Sequence, residues 1–291
     1  EIPGIEAPVR IDEDRVRETA DKFLLATRRA GAVYRHVAER KGADNFVTEV
    51  SIDETDRPQS PVELFLILLM LAREEVPVQT IAPKFTGRFN KGVDYEGDLE
   101  SFRGEFDEDL CVIAYAIRTF DLPETLKLSV HSGSDTFSIY PVIRECLSRH
   151  GCGLHLKTAG TTWLEELIGL AAAGGDGLNL AKRIYREAHG QFDELTKPYA
   201  TVIAIDPARL PHPDEVDGWE SADFTSALRH VPDAPEYNPH LRQLLHVGYK
   251  VAAKLGDTFT DALAANRDTI AENVKTNLLD RHIRRVFPAA R

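Results

Sequence analysis

Apolar side chains recur at helical spacing through residues 11–40 and form one stripe of an amphipathic helix. The members of the stripe are Val16, Ala20, Phe23, Leu24, Ala30 and Tyr34, with Thr27 as its one polar residue. Gly42 follows the last periodic position and is expected to end this helix. A second, largely buried helix is predicted over residues 60–75. Its start matches a capping box, with Ser60 at the N-cap, Pro61 at the first helical position and Glu63 at the third.

Five short segments between the helical patterns have the length and composition of β-strands. The five segments are 45–51, 77–84, 126–131, 153–158 and 199–206. Further helices are predicted at about 107–119 and 139–150. A second capping box over residues 162–165 predicts the start of another helix, and the chain closes with two long predicted helices that end near residue 286. Alternation of strands with helices predicts a parallel sheet with crossover connections.

This alternation indicates a single α/β domain over residues 1–291. Five strands suit a doubly wound open sheet, whereas a closed (β/α)8 barrel needs eight. The chain begins with Glu-Ile-Pro rather than with Met, and Met70 is its one methionine. We therefore expect the domain to be the C-terminal part of a longer chain.

Polar residues lie at or after four of the five predicted strands. They are Glu49 for the first strand; Lys84, Arg88, Lys91 and Asp94 for the second; His131, Ser132, Ser134 and Asp135 for the third; and His155, Lys157, Thr158 and Thr161 for the fourth. A hydrophobic core needs none of these groups, because each is costly to bury without a partner. In parallel α/β folds the carboxyl ends of the strands carry the chemistry, so the pattern predicts a polar site there.

Several of these residues also have a structural interpretation. His131 could be a hydrogen-bonded core histidine, and Glu49 could cap a neighbouring helix. Lys157, followed by Thr-Ala-Gly-Thr-Thr and a helix, resembles an anion cradle, but it could also be a surface lysine before an ordinary N-cap. His155 lies two residues before Lys157, so the two side chains face the same way in a regular strand.

A metal site is a further hypothesis. Glu49, His131 and His246 offer nitrogen and oxygen donors suited to a divalent cation with open positions. His246 lies in a predicted helix, where a histidine more often has a structural role. The chain contains no G-x-G-x-x-G, P-loop, nucleophile elbow or H-E-x-x-H motif, so nucleotide-binding and serine-hydrolase functions have no support.

Charge and composition exclude other classes. Lys+Arg number 35 against 47 Asp+Glu, and the net charge of −12 argues against binding to nucleic acid or to an anionic membrane. Three cysteines without C-x-x-C spacing indicate neither a disulfide scaffold nor a cysteine metal site. The longest apolar run, over residues 64–72, is too short to cross a bilayer. With no signal sequence recognised, a cytoplasmic protein is expected.

Six segments together resemble the tagaturonate epimerase family of hexuronate catabolism, over nearly the whole chain. They are PQSPVELFLIL (58–68), QTIAPKFTGRFNKGVDYEGD (79–98), LKLSVHSGSDTFSIYP (126–141), HLKTAGTTWLEELIGLA (155–171), RQLLHVGYKVAA (242–253) and NLLDRHI (277–283). The resemblance implies a TIM-barrel-like (β/α)8 fold, of which about five units are visible and the N-terminal strands are missing. It also implies interconversion of D-tagaturonate and D-fructuronate with a divalent cation, where Zn, Mn, Ni and Mg are not distinguished, and no nicotinamide.

The implied reaction inverts a carbon that lies β to the ketone. Proton abstraction next to the carbonyl cannot invert this centre. Retro-aldol cleavage, rotation of the aldehyde fragment and re-addition to the opposite face is the economical route. A divalent cation would stabilise the enediolate, and a general acid/base would exchange the hydroxyl proton.

The resemblance then suggests a role for each candidate residue. Glu49, His131 and His246 are expected to bind the metal. Asp135, ahead of Asp94, is the expected acid/base, with Lys157 also assigned to catalysis. The residues expected to bind the substrate carboxylate and hydroxyls are Lys84, Arg88, Lys91, Ser132, Ser134, His155, Thr158 and Thr161.

Other functions stay open from the sequence. The same site could serve a ketohexose 4-epimerase acting on fructose and tagatose, or a metal-dependent aldolase. A relative that only binds a sugar acid is the non-enzyme alternative. The expected ligand is in each case a small anionic sugar acid or a related sugar. The chain could also form a homo-oligomer or pair with a chain that supplies the missing strands.

Overall fold

The computed structural model describes residues 1–6, 10–131 and 134–287. Four short strands form one parallel sheet in the order β1-β2-β3-β4. The strands are β1 (Glu49–Ser51), β2 (Thr80–Ala82), β3 (Lys127–Val130) and β4 (Leu154–Leu156). In their register, Val50 lies beside Ile81, Ile81 beside Leu128, and Leu128 beside Leu154. An α/β fold with a parallel sheet was predicted, and these four strands confirm it.

Helices make up most of the remaining structure. The α-helices are α1 (Glu13–Lys41), α2 (Pro61–Arg73), α3 (Leu99–Phe120), α4 (Tyr140–His150), α5 (Ala159–Ala173), α6 (Gly175–Gly190), α7 (Phe192–Thr196), α8 (Pro213–Asp217), α9 (Ser221–Leu228), α10 (Pro239–Val247), α11 (Tyr249–Lys254), α12 (Asp257–Ala265), α13 (Arg267–Lys275) and α14 (Arg284–Val286), with a π-helix at Thr276–Ile283. Short 3-10 helices lie at Ala43–Asn45, Phe137–Ile139, Lys197–Tyr199 and Pro207–Arg209. Among the described helices, none combines the length and the apolar character that a membrane span requires.

The chain divides into two compact units. The first unit consists of Glu1–Gly87, Gly97–His131 and Val142–Leu156, and the second consists of Arg88–Glu96, Ser132–Pro141 and Lys157–Arg291. The assignment of residues 1–291 to a single catalytic domain stays a prediction.

The first unit contains the sheet and the capping box that the sequence predicted for α2. Ser60 Oγ accepts a hydrogen bond from the Glu63 backbone N–H at 3.3 Å, and Glu63 Oε2 accepts one from the Ser60 N–H at 2.9 Å. These bonds satisfy N–H groups that the first turn of a helix leaves without intrahelical partners. The helix then buries Leu64, Ile67, Leu68 and Leu71 completely, at the spacing of one helical face.

The second unit is helical and is built around α5. This helix packs against α6, α9 and α13, and its core includes Leu164, Leu167 and Ile168. Gly169 allows the close approach of α13, because a Cβ there would lie 2.7 Å from the Ile270 Cα. The sheet and this helical core therefore belong to different units.

Two predicted helix starts were wrong. α3 begins at Leu99 rather than near residue 107, because Asp98 Oδ1 accepts a hydrogen bond from the Ser101 N–H at 2.7 Å and caps the helix there. The second capping box does not form. α5 begins three residues before Thr162, with Thr158 at its N-cap, and Glu165 lies buried inside the helix.

The fifth predicted strand, over residues 199–206, was also wrong. Two of its backbone N–H groups pair with side chains instead of a neighbouring strand. Gln243 Oε1 accepts from the Ala204 N–H at 2.8 Å, and His240 Nδ1 accepts from the Asp206 N–H at 3.0 Å. The β-branched residues that suggested a strand pack partly against the helical core of the second unit.

The two long C-terminal helices that the sequence predicted are several short ones. α10 ends at Val247, and Gly248 is its C-cap. Gly256, with φ of +54°, separates α11 from α12. A left-handed backbone of this kind favours glycine and does not continue an α-helix.

Candidate active site

One face of the sheet is polar, because successive side chains of a strand point to opposite faces. The polar positions in or directly after the strands include Glu49, Ser51, Thr80, Ser129, His131 and His155. The positions between them are apolar and include Val50, Ile81, Leu128, Val130 and Leu154. The alternation therefore gathers carboxylate, imidazole and hydroxyl groups on one side of four strands.

Glu49 contacts both histidines of this polar face. Its Oε1 lies 2.7 Å from His131 Nε2, and its Oε2 lies 2.7 Å from His155 Nδ1. The side chains are partly accessible, with 28% of Glu49, 7% of His131 and 45% of His155 exposed. A small molecule can therefore approach the group from the side of His155.

The contact between Glu49 and His155 shows that the sheet curves. These residues belong to β1 and β4, which are the two edges of the sheet. Three strand spacings would separate the edges by about 14 Å if the sheet were flat. Two side chains cannot span that distance and still meet at 2.7 Å. The polar face is therefore concave.

Hydroxyl groups hold the three side chains in place. Thr80 Oγ1 donates to Glu49 Oε2 at 2.9 Å, and Ser129 Oγ lies 2.9 Å from His155 Nδ1. His131 Nδ1 lies 3.3 Å from Ser51 Oγ, on the ring edge opposite Nε2. Asp53 Oδ2 is 3.8 Å from the same nitrogen. Such outer partners fix the orientation of metal-binding histidines.

The surroundings of Glu49 favour its ionised form. Burial alone would raise its pKa, but hydrogen bonds from Thr80 and His131, together with the charge of His131, lower the pKa below its ordinary value. An ionised carboxylate is the form that binds metal ions.

The donor set fits a divalent cation. One ligand atom from each of Glu49, His131 and His155 lies within 4.8 Å of the others. Two imidazole nitrogens and one carboxylate oxygen suit a first-row transition metal and leave coordination positions open. Sequence analysis had named Glu49, His131 and His246; within the described residues the structure groups His155 with the first two. His155 had been predicted as a substrate-binding residue.

The structure also corrects the position of Glu49, which begins β1 rather than ending it. It reaches its partners across the concave face, not from a loop at the carboxyl end. Lys84 lies in the same unit, two residues after β2. Its backbone N–H donates to Gln59 Oε1 at 2.8 Å, and its ammonium group donates to the Thr55 carbonyl.

Residues 88–96 form a closed loop in the second unit. Arg88 and Glu96 pair through two antiparallel backbone hydrogen bonds of 2.8 and 3.1 Å. Phe89 and Tyr95 pack inside the loop with their ring centroids 5.1 Å apart. The predicted substrate-binding residues Arg88 and Lys91 thus share one loop, and the Lys91 N–H donates to the Val202 carbonyl at 2.8 Å.

Asp94 and Ser134 connect this loop to the segment that follows β3. Asp94 Oδ1 accepts hydrogen bonds from the Ser138 N–H at 3.1 Å and from the Ser138 hydroxyl at 2.9 Å. Ser134 Oγ accepts from the Gly92 N–H at 2.8 Å. Both residues were predicted to act on the substrate, and the structure gives their side chains a role in joining two loops.

Asp135 lies at the centre of a buried polar cluster in the second unit and is 0% exposed. Its carboxylate accepts from Arg242 Nη2 at 2.8 Å, from Thr161 Oγ1 at 2.9 Å and from Asn277 Nδ2 at 3.3 Å. His230 Nδ1 lies 3.3 Å from Oδ2 of the same carboxylate. The acid/base role predicted for Asp135 stays a prediction, and this geometry favours a structural role.

Burial and charge set the protonation states of this cluster. Burial would raise the pKa of Asp135, but Arg242 and His230 hold it well below its ordinary value. Burial lowers the pKa of His230 and of His282, which favours their neutral forms. Burial raises the pKa of Glu165 to about 7, against the opposing charge of Arg242. Asp135 and Arg242 therefore form the charged pair of the cluster.

The other predicted residues have varied positions. Lys157 is exposed, Thr158 is the N-cap of α5, and Ser132 lies outside the described residues. His246 lies in α10 of the second unit and packs close to Gly92. A Cβ built on Gly92 would lie 3.3 Å from the Cβ of His246. Its metal-binding role stays a prediction.

Sequence reasoning missed several residues that organise these sites. They are Thr80 and Ser129 on the sheet, and Glu165, His230, Arg242, Asn277 and His282 in the buried cluster. The signal for the first two was present, since polar residues alternate with apolar ones in each short strand. The buried cluster carried no such signal, because its members come from segments that are far apart in the chain.

Comparison with known proteins gives consistent matches. A model of the tagaturonate epimerase family, UxaE, matches residues 4–286. Over 278 residues the chain is 30% identical to a tagaturonate/fructuronate epimerase of Thermotoga maritima, and the match covers 94% of this chain and 52% of that protein. The curated relative and this chain thus share a region about half as long as the relative itself.

Two crystal structures of a fructuronate-tagaturonate epimerase from Cohnella laeviribosi have a similar fold. The structure with one glycerol matches with a TM-score of 0.74 and 23% identity, covering 95% of this chain and 53% of that one. The native structure matches with a TM-score of 0.70 and 24% identity, covering 94% and 52%. This chain therefore spans about half of those proteins as well.

Proposed function

Because this chain belongs to the tagaturonate epimerase family, we propose that it carries the metal centre of an enzyme that interconverts D-tagaturonate and D-fructuronate. The observation that carries the proposal is the group of Glu49, His131 and His155 on the concave face of the sheet. The relative from Thermotoga maritima is named for the same reaction. The chain spans about half of that relative, so the activity of the whole enzyme is part of the proposal.

We further propose that the sheet is part of a (β/α)8 barrel. The strands are parallel and neighbours in the sheet are also neighbours in the chain, as in a barrel. The curvature that brings Glu49 to His155 is of the kind that closes a sheet. Polar side chains on the concave face would then point towards the barrel axis.

The proposed chemistry is retro-aldol cleavage followed by re-addition. Cleavage of the bond next to the inverted carbon places negative charge on the oxygens of the ketone fragment. A divalent cation held by Glu49, His131 and His155 would supply Lewis-acid stabilisation of that charge. Rotation of the aldehyde fragment before the bond forms again gives the epimer.

The chain's own residues would bind the sugar acid. Lys84, Arg88 and Lys91 are the candidates for the carboxylate and the hydroxyl groups, with Arg88 suited to a bidentate contact. A general acid/base must also move the hydroxyl proton. Asp94 and Asp135 are the predicted groups, although both already accept several hydrogen bonds.

Metal removal tests this proposal. We expect dialysis against excess EDTA to abolish D-tagaturonate epimerisation and a divalent cation to restore it, with product followed by chromatography. Glu49→Gln should weaken metal binding in calorimetry by more than the roughly 10- to 100-fold that loss of an outer partner of a ligand costs, because it removes the charged ligand itself. Exposed Glu54→Gln is the matched control and should bind metal normally.

Four outcomes would count against the proposal. Turnover that persists in excess EDTA would contradict the metal centre. Equal metal affinity in Glu49→Gln and Glu54→Gln would move the site elsewhere. Release of two stable fragments from the sugar acid would identify an aldolase, and turnover of fructose in place of tagaturonate would identify a ketohexose epimerase.

A further inference from the structure

Both backbone polar groups of Gly92 are hydrogen-bonded to other parts of the second unit. Its N–H donates to Ser134 Oγ at 2.8 Å, and its carbonyl accepts from Arg242 Nε at 2.5 Å. Its φ of +78° is one that residues with a side chain rarely adopt. A Cβ there would also lie 3.3 Å from the Arg242 carbonyl. These contacts restrain the backbone of the 88–96 loop at Gly92.

Arg242 makes three directed hydrogen bonds with one guanidinium group. In addition to the Gly92 carbonyl, Nη1 donates to the Leu228 carbonyl at 2.6 Å and Nη2 donates to Asp135 Oδ2 at 2.8 Å. The side chain is 0% exposed, so these bonds are not exchanged with water. A planar group with fixed donors can satisfy this geometry, whereas a lysine ammonium on a flexible stem cannot.

We propose that Arg242 is a positioning residue that fixes the 88–96 loop through Gly92, so that Arg88 and Lys91 meet the substrate carboxylate in one geometry. This inference rests on the proposed function, because it assumes that the loop binds the sugar acid. Asp135 takes part indirectly: its carboxylate orients the guanidinium, and Thr161 and Asn277 orient the carboxylate. Ser134 completes the anchor from the N–H side of Gly92.

The proposal explains why a charged pair is buried so deeply. Burying two charges is costly unless further hydrogen bonds satisfy them, and such a pair gives orientation more than stability. The Asp135–Arg242 pair is satisfied by bonds to Gly92, Leu228, Thr161 and Asn277. The bond to Gly92 ends on the loop that carries Arg88 and Lys91, the two cationic side chains proposed to bind the substrate.

Two variants test the anchor. Arg242→Lys keeps the positive charge beside Asp135 but loses the planar guanidinium group with its fixed N–H donors. Ser134→Ala removes the hydroxyl that accepts a hydrogen bond from the Gly92 N–H. Arg229→Lys is the matched control, because Arg229 bonds to Asn273 in the same unit and makes no hydrogen bond to the loop. Ser134→Ala keeps the test valid if Arg242→Lys does not fold.

Hydrogen exchange and kinetics are the two measurements. We expect amide exchange in a peptide covering residues 88–96 to become about tenfold faster in both variants, since each loses a hydrogen bond that restrains the loop. We also expect KM for D-tagaturonate to rise about tenfold while kcat changes less than about threefold, because uniform substrate binding is lost. The control should match the parent protein in both.

Each result separates the inference from the proposed function. Unchanged exchange in the 88–96 peptide overturns the anchor, whatever the activity. Faster exchange with a fall in kcat and an unchanged KM overturns the role in binding. If the parent protein shows no turnover, the proposed function fails, and the affinity for D-tagaturonate in calorimetry replaces KM as the test of positioning.

Discussion

At the scale of single residues, the environment of a carboxylate decides its role more than its position in the sequence. Glu49 and Asp135 both lie next to candidate strands, and both were predicted to do chemistry. Glu49 is partly exposed and faces two imidazoles, whereas Asp135 is 0% exposed and accepts bonds from Arg242 and Thr161. Glu49 is therefore accessible to a ligand from solvent, whereas Asp135 becomes accessible only if the buried cluster opens.

Glu165 gives the first prediction, which concerns stability against pH. Its pKa is raised from 4.5 to about 7 by burial. The folded protein therefore holds this proton to a higher pH than the unfolded chain does. The stability that this group contributes is fully present below about pH 4.5 and is lost as the pH rises through 7. The group opposes Asp135, whose lowered pKa makes the protein less stable in acid.

Glu165→Gln should remove that pH dependence, because the amide is neutral at every pH and can still accept from Asn277. Urea unfolding should give a difference in unfolding free energy between parent and variant that shifts by about 2 kcal/mol between pH 5 and pH 8, in favour of the variant at high pH. Exposed Glu194→Gln in the same unit is the control. A pH-independent difference would show that Glu165 titrates normally.

At the scale of elements, the sequence predicted what local chemistry determines. The capping box of α2 and the helix α1 depend on neighbours three or four residues apart, and both elements were confirmed. The predicted stripe of α1 was only partly right, because Phe23 and Thr27 are buried but Val16 is 42% exposed. The first four strands were confirmed as well, although each is shorter than predicted. The segment at 199–206 has strand composition, yet Gln243 and His240 satisfy its backbone. Those partners lie more than thirty residues away, so no local pattern could indicate them.

In the candidate site, too, the residues with a local sequence signal were predicted and those placed by long-range packing were not. Glu49 and His131 were found as polar residues next to apolar strands. His155 was noticed but was assigned to the substrate, because its place beside Glu49 depends on the curvature that brings β4 towards β1. Arg242 and Asn277 were missed, since their role arises from packing between segments about 100 or more residues from Asp135.

Helix packing in the second unit gives a second prediction. Gly169→Ala should destabilise the protein by about 1–3 kcal/mol, because the new methyl group would overlap the α13 backbone at Ile270. Gly104→Ala is the matched change in α3, where a Cβ would meet nothing within 4 Å. It should instead stabilise the protein by about 0.5–1 kcal/mol through helix propensity. Urea unfolding midpoints with constant m-values measure both, and equal effects would contradict the close approach of the two helices.

At the scale of the whole chain, the proposed metal centre would join segments that are far apart in sequence. Glu49 and His155 are separated by 106 positions, so a bound cation closes a long stretch of the first unit. Binding to the folded form alone should raise the free energy of unfolding by about 2.7 kcal/mol when the free metal is 100 times its Kd. Thermal unfolding with and without added Mn²⁺, Ni²⁺ or Zn²⁺ measures this gain. His131→Gln should lose it, and Glu54→Gln should keep it. The same gain in His131→Gln would place the stabilising metal away from this face of the sheet.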